Sequence, residues 1–285
     1  MTEEKWLVNP GQAKTIDIDS VTSLKIGMIG GQVDVIGHEE PTTRVEISGV
    51  TGKDLKVTVE DGRLEIDHPQ LRWDNFIDVF RSWQGKARAD VSVLVPRGVA
   101  LKLGTISGHA LVSGLISDAK LSTVNGELTA DTLVGNIELN AVSGELAVQN
   151  HLGAVKANTV SGDVTASGTL SRVAVDGVSG NVFLDVRGVP DSIRHNSVSG
   201  DLTLRLDDDA PARFRVNTIS GVLQVENSIY RGSSARNFDY QDGPLDKLWI
   251  DVSANSVSGN VSVVRRPKAA DTPGAAASST PEETA

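Results

Sequence analysis

One phrase constrains this chain more than any other feature. "NTVSGDVTAS" fills Asn158 to Ser167, and close copies recur through the second half. The glycine of the phrase stands at Gly108, Gly126, Gly144, Gly162, Gly180, Gly200, Gly221 and Gly259, in steps of 18, 18, 18, 18, 20, 21 and 38. A period near 20 residues belongs to a solenoid, in which each unit is too small to bury its own apolar face and stacks on the next. An enzyme needs its chemistry once; a phrase spelled this often is architecture.

Aligning the units on their glycine identifies the unit. Two residues before it stand Ile106, Val124, Val142, Val160, Val178, Val198, Ile219 and Val257, all β-branched and suited to a pleated surface. The positions two and four after it are apolar as well, from Ala110 and Val112 to Val261 and Val263, with mostly polar residues between. Alternation of period two is a strand pattern. The columns seven and five before the glycine are apolar too, so the phase shifts between minus five and minus two. That odd step calls for a corner, and the column at minus four, with Asn140, Asn158, Asp176, Asn196, Asn217 and Asn255, supplies residues suited to bends. Stacked asparagines also bond to one another along a ladder. With the minus-two and glycine positions read as inward, each unit is strand, corner, strand, return. Coils of about 18–21 residues rise roughly 4.8 Å each, so eight make a column on the order of 40 Å. Val, Leu, Ala and Ile fill the interior, in keeping with an aromatic content of 4%.

Upstream, Leu24, Ile26, Ile29, Gly31, Val33 and Val35 fit the same offsets and predict a further coil at the bottom of the column. Thr15–Asp19 reads as a short strand. Between His38 and Arg97 the repeat lapses: Thr43–Ile47, Leu55–Glu60, Arg63–Ile66 and Ala89–Val95 read as strands, with Asp61-Gly62 a hairpin signal. Inside this region Trp73, Phe76, Ile77 and Phe80 recur at helical spacing, flanked by Leu71 and Trp83. A helix over Leu71–Trp83 reads first as a cap on the solenoid edge, and alternatively as a docking element for a partner or membrane face. The long final step holds a second interruption, an inserted loop near residues 228–246 with Tyr230, Phe238 and Tyr240. It reads first as a degenerate coil or a loop folded over the carboxyl-terminal end, alternatively as functional. The organisation is therefore a capping region over 1–100, repeats over 101–264, and a disordered tail of Pro, Ala, Ser, Thr and Glu over 265–285.

Composition removes several function classes. A net charge of −10 argues against nucleic acid, whose phosphates need a basic surface, and against docking on anionic lipid through a polybasic patch. There are no cysteines, hence no disulfide framework and no thiolate chemistry. No apolar run reaches the roughly 20 residues that span a bilayer. The start, Met-Thr-Glu-Glu-Lys-Trp, lacks a basic region followed by an apolar one, so a cytoplasmic location is expected, with membrane association only through a partner.

Chemistry is hard to find. Glu127, Glu145, Asp163 and Asp201, interrupted by Asn181, form an outward acidic column. Neighbouring carboxylates there repel by roughly 1 kcal/mol in water, tolerable on a wet face. A solvated wall is the plain reading, a Ca²⁺ stripe the sharper one. Serines 107, 143, 161, 179, 199, 220 and 258 precede their glycines and form a structural ladder, since a nucleophile would be unique and have a base. The five histidines share no metal-ligand spacing. His195 alone interrupts an aliphatic column, and a satisfied or partly exposed side chain is expected there. "GMIGG" at Gly27–Gly31 is a solenoid corner and no phosphate loop. No catalytic residue, metal or cofactor is expected.

The phrases "NTVSGDV", "NSVSGDL", "NTISGVL" and "NSVSGNV", approached through "VSVLVPRGVALKLGTISGHALV" at Val91–Val112, resemble the bacterial putative-adhesin family, a domain of unknown function. The likeness covers roughly residues 15–264. It implies a parallel β-helix, no catalytic residues, and a connection with envelope stress. Right-handed winding follows from the resemblance and from the bias of parallel crossovers. The expected molecule is an all-β, right-handed parallel β-solenoid acting as a non-enzymatic adhesin-like scaffold or binding protein. Trp73, Phe76, Phe80, Trp83, Tyr230, Phe238 and Tyr240 are its candidate partner-binding residues. The alternatives are a polysaccharide-active enzyme, which needs a non-repeating charged groove, and a scaffold that self-associates through its solenoid ends.

Overall fold

The computed structural model describes residues 3–69, 87–226, 228–230 and 236–267. The expected helix Leu71–Trp83, with Trp73, Phe76, Phe80 and Trp83, and the tail beyond residue 267 lie outside the described residues. Described secondary structure is all strand. The repeats stack in parallel at the period read from the sequence: Leu128 pairs with Leu146, Leu146 with Val164, and Val164 with Val182. The other leg of each coil stacks likewise, Ile137 on Ala119 and Val155 on Ile137. The molecule is a β-solenoid with one continuous apolar spine.

Two features of the spine differ from the expected one. The inward phase runs on through the asparagine, so that Ile137, Leu139 and Ala141 are all buried and Asn140 faces out. The buried position before the glycine is therefore minus three, occupied by Thr105, Thr123, Ala141, Thr159 and Thr218. The minus-two column is buried, in a cluster of its own, at Ile29, Ile106 and Val124; from there on it lies outside, where Val142, Val160, Val178, Val198, Val257 and Ile219 are 45–59% exposed. The bend is the Val-Ser-Gly itself, where the phase slips before burial resumes at plus two.

This corner explains the repeated letters. Serine hydroxyls donate to the valine carbonyl one coil below, Ser143 to Val124 at 3.2 Å and Ser179 to Val160 at 3.3 Å. A Cβ on Gly144 would overlap the carbonyl oxygen of Gly126, and one on Gly162 that of Gly144. The glycine thus marks close approach between successive coils, along the stack and not into the interior. Asparagines outside the bend form the expected ladder, Asn158 Nδ2 donating to Asn140 Oδ1 at 2.9 Å and Asn196 Nδ2 to Asp176 Oδ1 at 2.7 Å.

The coils do not stack in chain order at either end. Arg63–Asp67 pairs with Ser23–Gly27, and Arg88–Pro96 with Gly31–His38, so these two strands make one more coil beneath the one expected at the bottom. In that coil Ala89 takes the glycine's place. Antiparallel strands then close this end: Leu55–Glu60 and Glu4–Val8 continue from Arg63–Asp67, while Thr43–Thr51 and Lys14–Ile18 continue from Arg88–Pro96. Asp61 and Gly62 both have positive φ, 49° and 75°, as the two-residue hairpin requires.

At the other end the last coil slots between two earlier ones. Ile250–Ser256 pairs with Ser192–Asn196 on one side and Ala212–Thr218 on the other. The asparagine ladder records the same order, Asn255 donating to Asn196 and Asn217 donating to Asn255, both at 2.7 Å. The 38-residue step is thus a detour. After the outermost coil the chain runs back antiparallel as Ser228–Tyr230 and Arg236–Asp242, covers that coil, and returns beneath it. Ten levels result, a column of roughly 43 Å.

Candidate binding surface

Because inward and outward residues alternate, the wall is a set of vertical stripes, each one column of the repeat. Six before the glycine the stripe is basic. From the amino-terminal end it reads Glu65, Lys25, Lys102, Lys120, Glu138, Lys156, Ala174, Arg194, Ser253 and Arg215. On a chain of net charge −10 this is a local inversion of sign. Some cations are neutralised: Lys25 meets Glu65 at 2.6 Å, Lys120 meets Glu138 at 2.9 Å and Arg215 meets Asp251 at 2.6 Å. The Lys120 hydrogen bond holds the Glu138 carboxyl below its ordinary value.

In the middle of this stripe the wall dips. Ala154 and Ala174 stand where neighbouring levels carry long side chains, and a groove of about 510 Å³ opens there, with Leu101, Ala119, Ile137 and Val155 of the spine at its base. Lys120, Lys156 and Arg172 line it with Asp118, Asn136 and Glu138. Asp118 is occupied locally, accepting from the Asn136 backbone and side-chain amides at 2.9 and 3.0 Å. Arg172 keeps only a long contact to Asp191 at 3.8 Å. The groove offers Lys156 and Arg172, beside a Lys120 already paired with Glu138, over an apolar floor. Its signal was present in the aligned sequence at minus six; the whole-chain charge conceals it because acidic residues collect elsewhere.

They collect one residue after the glycine. The carboxylates read from sequence as a solvated wall also bond up the stack: Asp163 Oδ1 accepts the Asn181 backbone N–H at 2.7 Å, and Asp201 Oδ1 accepts that of Asn260 at 2.9 Å. Among the described residues no group of three or more His, Cys, Asp or Glu is arranged to hold a metal ion.

Tyr230, Phe238 and Tyr240 come together on the carboxyl-terminal cap. Tyr240 stacks at 6.2 Å on Phe214 of the outermost coil, and Tyr230 lies 6.2 Å from Phe238 and 6.0 Å from Tyr240. Phe214 is fully buried and Tyr240 packs against the core, so these rings seal the spine. Of the two expectations for this loop, the fold over the end is the one found.

The buried histidines are a surprise. His68, His151 and His195 are each 2% exposed or less, and among the described residues their ring nitrogens make no hydrogen bond of ordinary geometry, only looser approaches to the backbone at Gly27, Leu133 and Val175. His195, expected to be satisfied or partly exposed, is buried in the apolar column between Val175 and Ala254. Burial lowers all three, His68 to about 4, which leaves them neutral at pH 7. They are far apart in the stack and none faces a nucleophile, so they read as core.

Three comparisons bear on these stripes. A model of the Toastrack DUF4097 family matches residues 21–264. No curated protein matches the chain. Among solved structures the chain is similar to a putative cell adhesion protein from Clostridium sporogenes, at 17% identity and TM-score 0.30, covering 93% of this chain and 99% of that one. It is also similar to a putative lipid binding protein from Parabacteroides distasonis, at 14% identity and TM-score 0.46, covering 90% and 98%. A putative adhesin from Bacteroides fragilis gives 14% identity and TM-score 0.38, covering 89% and 98%.

Proposed function

The chain belongs to the Toastrack DUF4097 family, and from that premise we propose that it is a non-enzymatic, adhesin-like binding scaffold whose basic stripe holds an extended anionic polymer of the cell envelope. The column is taken as right-handed, the usual sense of parallel crossovers. The observation that supports the reading is the groove over Ala119, Ala154 and Ala174, with Lys120, Lys156 and Arg172 along it. Cations that recur every one or two coils along a straight wall suit a ligand whose charges also repeat. Small residues beneath let a chain lie close. The other polar groups of the wall are engaged in ladders that hold one coil to the next, an arrangement suited to holding and poor for proton transfer.

Calorimetry with polygalacturonate as the probe, and neutral dextran as control, tests this. Binding to the acidic polymer alone is expected, weakened at least tenfold in a Lys120→Ala/Arg172→Ala variant and steeply reduced by salt. Equal binding of dextran, or no effect of the variant, overturns it. Release of reducing ends from the probe would replace it with the polysaccharide-active reading.

A further inference from the structure

We propose that the exposed valine edge is the interface of a parallel two-fold homodimer, formed side to side and not through the solenoid ends. The minus-two column runs the full height of the molecule, but its two halves differ. At its amino-terminal head Ala87, Ile29, Ile106 and Val124 pack together and are 7% exposed or less. Below them Val142, Val160, Val178, Val198, Val257 and Ile219 make a straight ridge of six half-exposed β-branched side chains at successive coils. The ridge is roughly 24 Å long at the coil rise. A contiguous apolar patch of this kind on a soluble chain marks an interaction site.

Charge identifies the partner. The ridge is flanked by the basic stripe on one side and the acidic column on the other, and their residues match at four of its six levels. At the Val160 level the flanking residues are Lys156 and Asp163; at Val198 they are Arg194 and Asp201. Where one side is neutral the other is too: Ala174 with Asn181 at Val178, Ser253 with Asn260 at Val257. No ion pair joins Lys156 to Asp163 or Arg194 to Asp201, so the match is not that of a salt bridge within one chain. A second copy accounts for it. A two-fold axis parallel to the column sets each valine against itself and turns the basic flank of one copy toward the acidic flank of the other at the same height. Lys156 then faces Asp163 of the other copy and Arg194 faces Asp201, at both rims. An antiparallel pairing leaves each of these four charges opposite a neutral residue. Two levels depart from the match: Glu138 stands with Glu145 at Val142, and Arg215 with Val222 at Ile219, and in each case the residue of the basic stripe is already held within its own chain, Glu138 by Lys120 and Arg215 by Asp251.

Sedimentation of the full chain across 1–100 µM tests the proposal, together with cysteine cross-linking, which this cysteine-free chain permits without background. A dimer is expected, dissociating at least tenfold more readily in a Val160→Glu/Val178→Glu variant and measurably more readily in Arg194→Glu. The valine sites are half-exposed, so circular dichroism and melting are expected to stay close to the parent. Val160→Cys alone is expected to give a disulfide-linked dimer on mild oxidation, because in this symmetry position 160 meets itself. A monomer throughout the range overturns the proposal, as does a dimer indifferent to Val160→Glu/Val178→Glu. Cross-linking only when Val160→Cys is mixed with Val257→Cys indicates the antiparallel arrangement and overturns it too.

Discussion

The two ends of the column are closed by different physics. At the amino-terminal end the capping strands bring apolar faces: Val45, Ile47, Val50, Leu55 and Val57 are buried to 1% or less and join the spine directly. Ion pairs there, such as Arg44 with Asp17, are exposed. At the carboxyl-terminal end the inserted last coil is pinned by charge. Arg266 reaches Asp185 and Asp207 on two different coils, and Asp185 also takes Arg205. Arg265, with a side chain only 6% exposed, donates to Asp242 at 2.5 Å and to the carbonyls of Asp207 and Ala210 at 2.8 and 2.7 Å. Both ends re-enter the stack out of chain order. The first is held by burial, which tolerates salt; the second has added a polar latch, which holds the returning strand in register but depends on protonation and ionic strength.

Breaking each closure at its own centre gives the largest effects. Leu55→Ala removes a fully buried side chain where the strands Leu55–Glu60 and Glu4–Val8 meet the spine. It should cost about 4 kcal/mol in chemical denaturation, with little dependence on salt. Arg265→Ala leaves Asp242 without its partner and two carbonyls undersatisfied, and should cost about 3 kcal/mol. Hydrogen exchange should then speed up selectively in Ile250–Ser256 and Arg236–Asp242, leaving the amino-terminal coils protected. Uniform loss of protection after Arg265→Ala would mean the two ends are one cooperative unit and the contrast is superficial.

Acid should separate the ends in sequence. His68, buried in the lowest coil, has its pKa lowered to about 4 by desolvation. The unfolded chain gains that proton near pH 6.5 and the folded one does not. The stabilising contribution is therefore full above pH 6.5 and falls away between pH 6.5 and 4, by up to about 3 kcal/mol. His68→Met, which copies Met28 at the same position of the next coil, should remove the His68 share of that dependence and leave the share owed to His151 and His195. The latch responds later. Hydrogen bonding from Arg205 holds Asp185 below the ordinary carboxylate value, so its contribution is present above that value and is lost as pH falls through the lower, folded one. Exchange at pH 5 should thus loosen the coils that bury a histidine, the one holding His68 among them, and exchange below pH 4 should loosen the Asp185 latch.

Most of the stack was legible in the letters, and the particular misreadings have physical causes. Period, strand spacing, the asparagine ladder and the Asp61-Gly62 hairpin follow from local chemistry and hold in the fold. The valine column was assigned to the interior because β-branched residues usually mark it, yet the apolar count could not distinguish a core from an edge. Thr105, Thr123 and Thr159 are polar letters on the buried side of the same bend. What decides is the direction of the Ser-Gly corner, set by hydrogen bonds between coils that no single repeat contains. Out-of-order stacking was equally invisible: Gly221 and Gly259 carry the same phrase, and nothing local says which lies outermost. The basic groove was legible and passed over, because its column was averaged into the whole-chain charge.

The smallest effect tests how far the middle of the column resembles either end. Asn158 donates to Asn140 at 2.9 Å from a half-buried position. One rung of a neutral ladder should be worth about 1 kcal/mol, so Asn158→Ala should lower stability by that amount. The carbonyl lost with it would otherwise face Asp176, whose side chain presents only acceptors when ionised, so this upper contact contributes little in the parent. Asp176→Asn should therefore do the opposite, extending the ladder by one donor toward Asn158 while keeping an oxygen for the amide of Asn196. A gain of about half a kcal/mol is expected, absent in an Asn158→Ala background. If Asp176→Asn instead destabilises the protein to the same degree in both backgrounds, the charge on Asp176 is being used by the buried His195 nearby, and the middle of the column leans on electrostatics as the carboxyl-terminal end does.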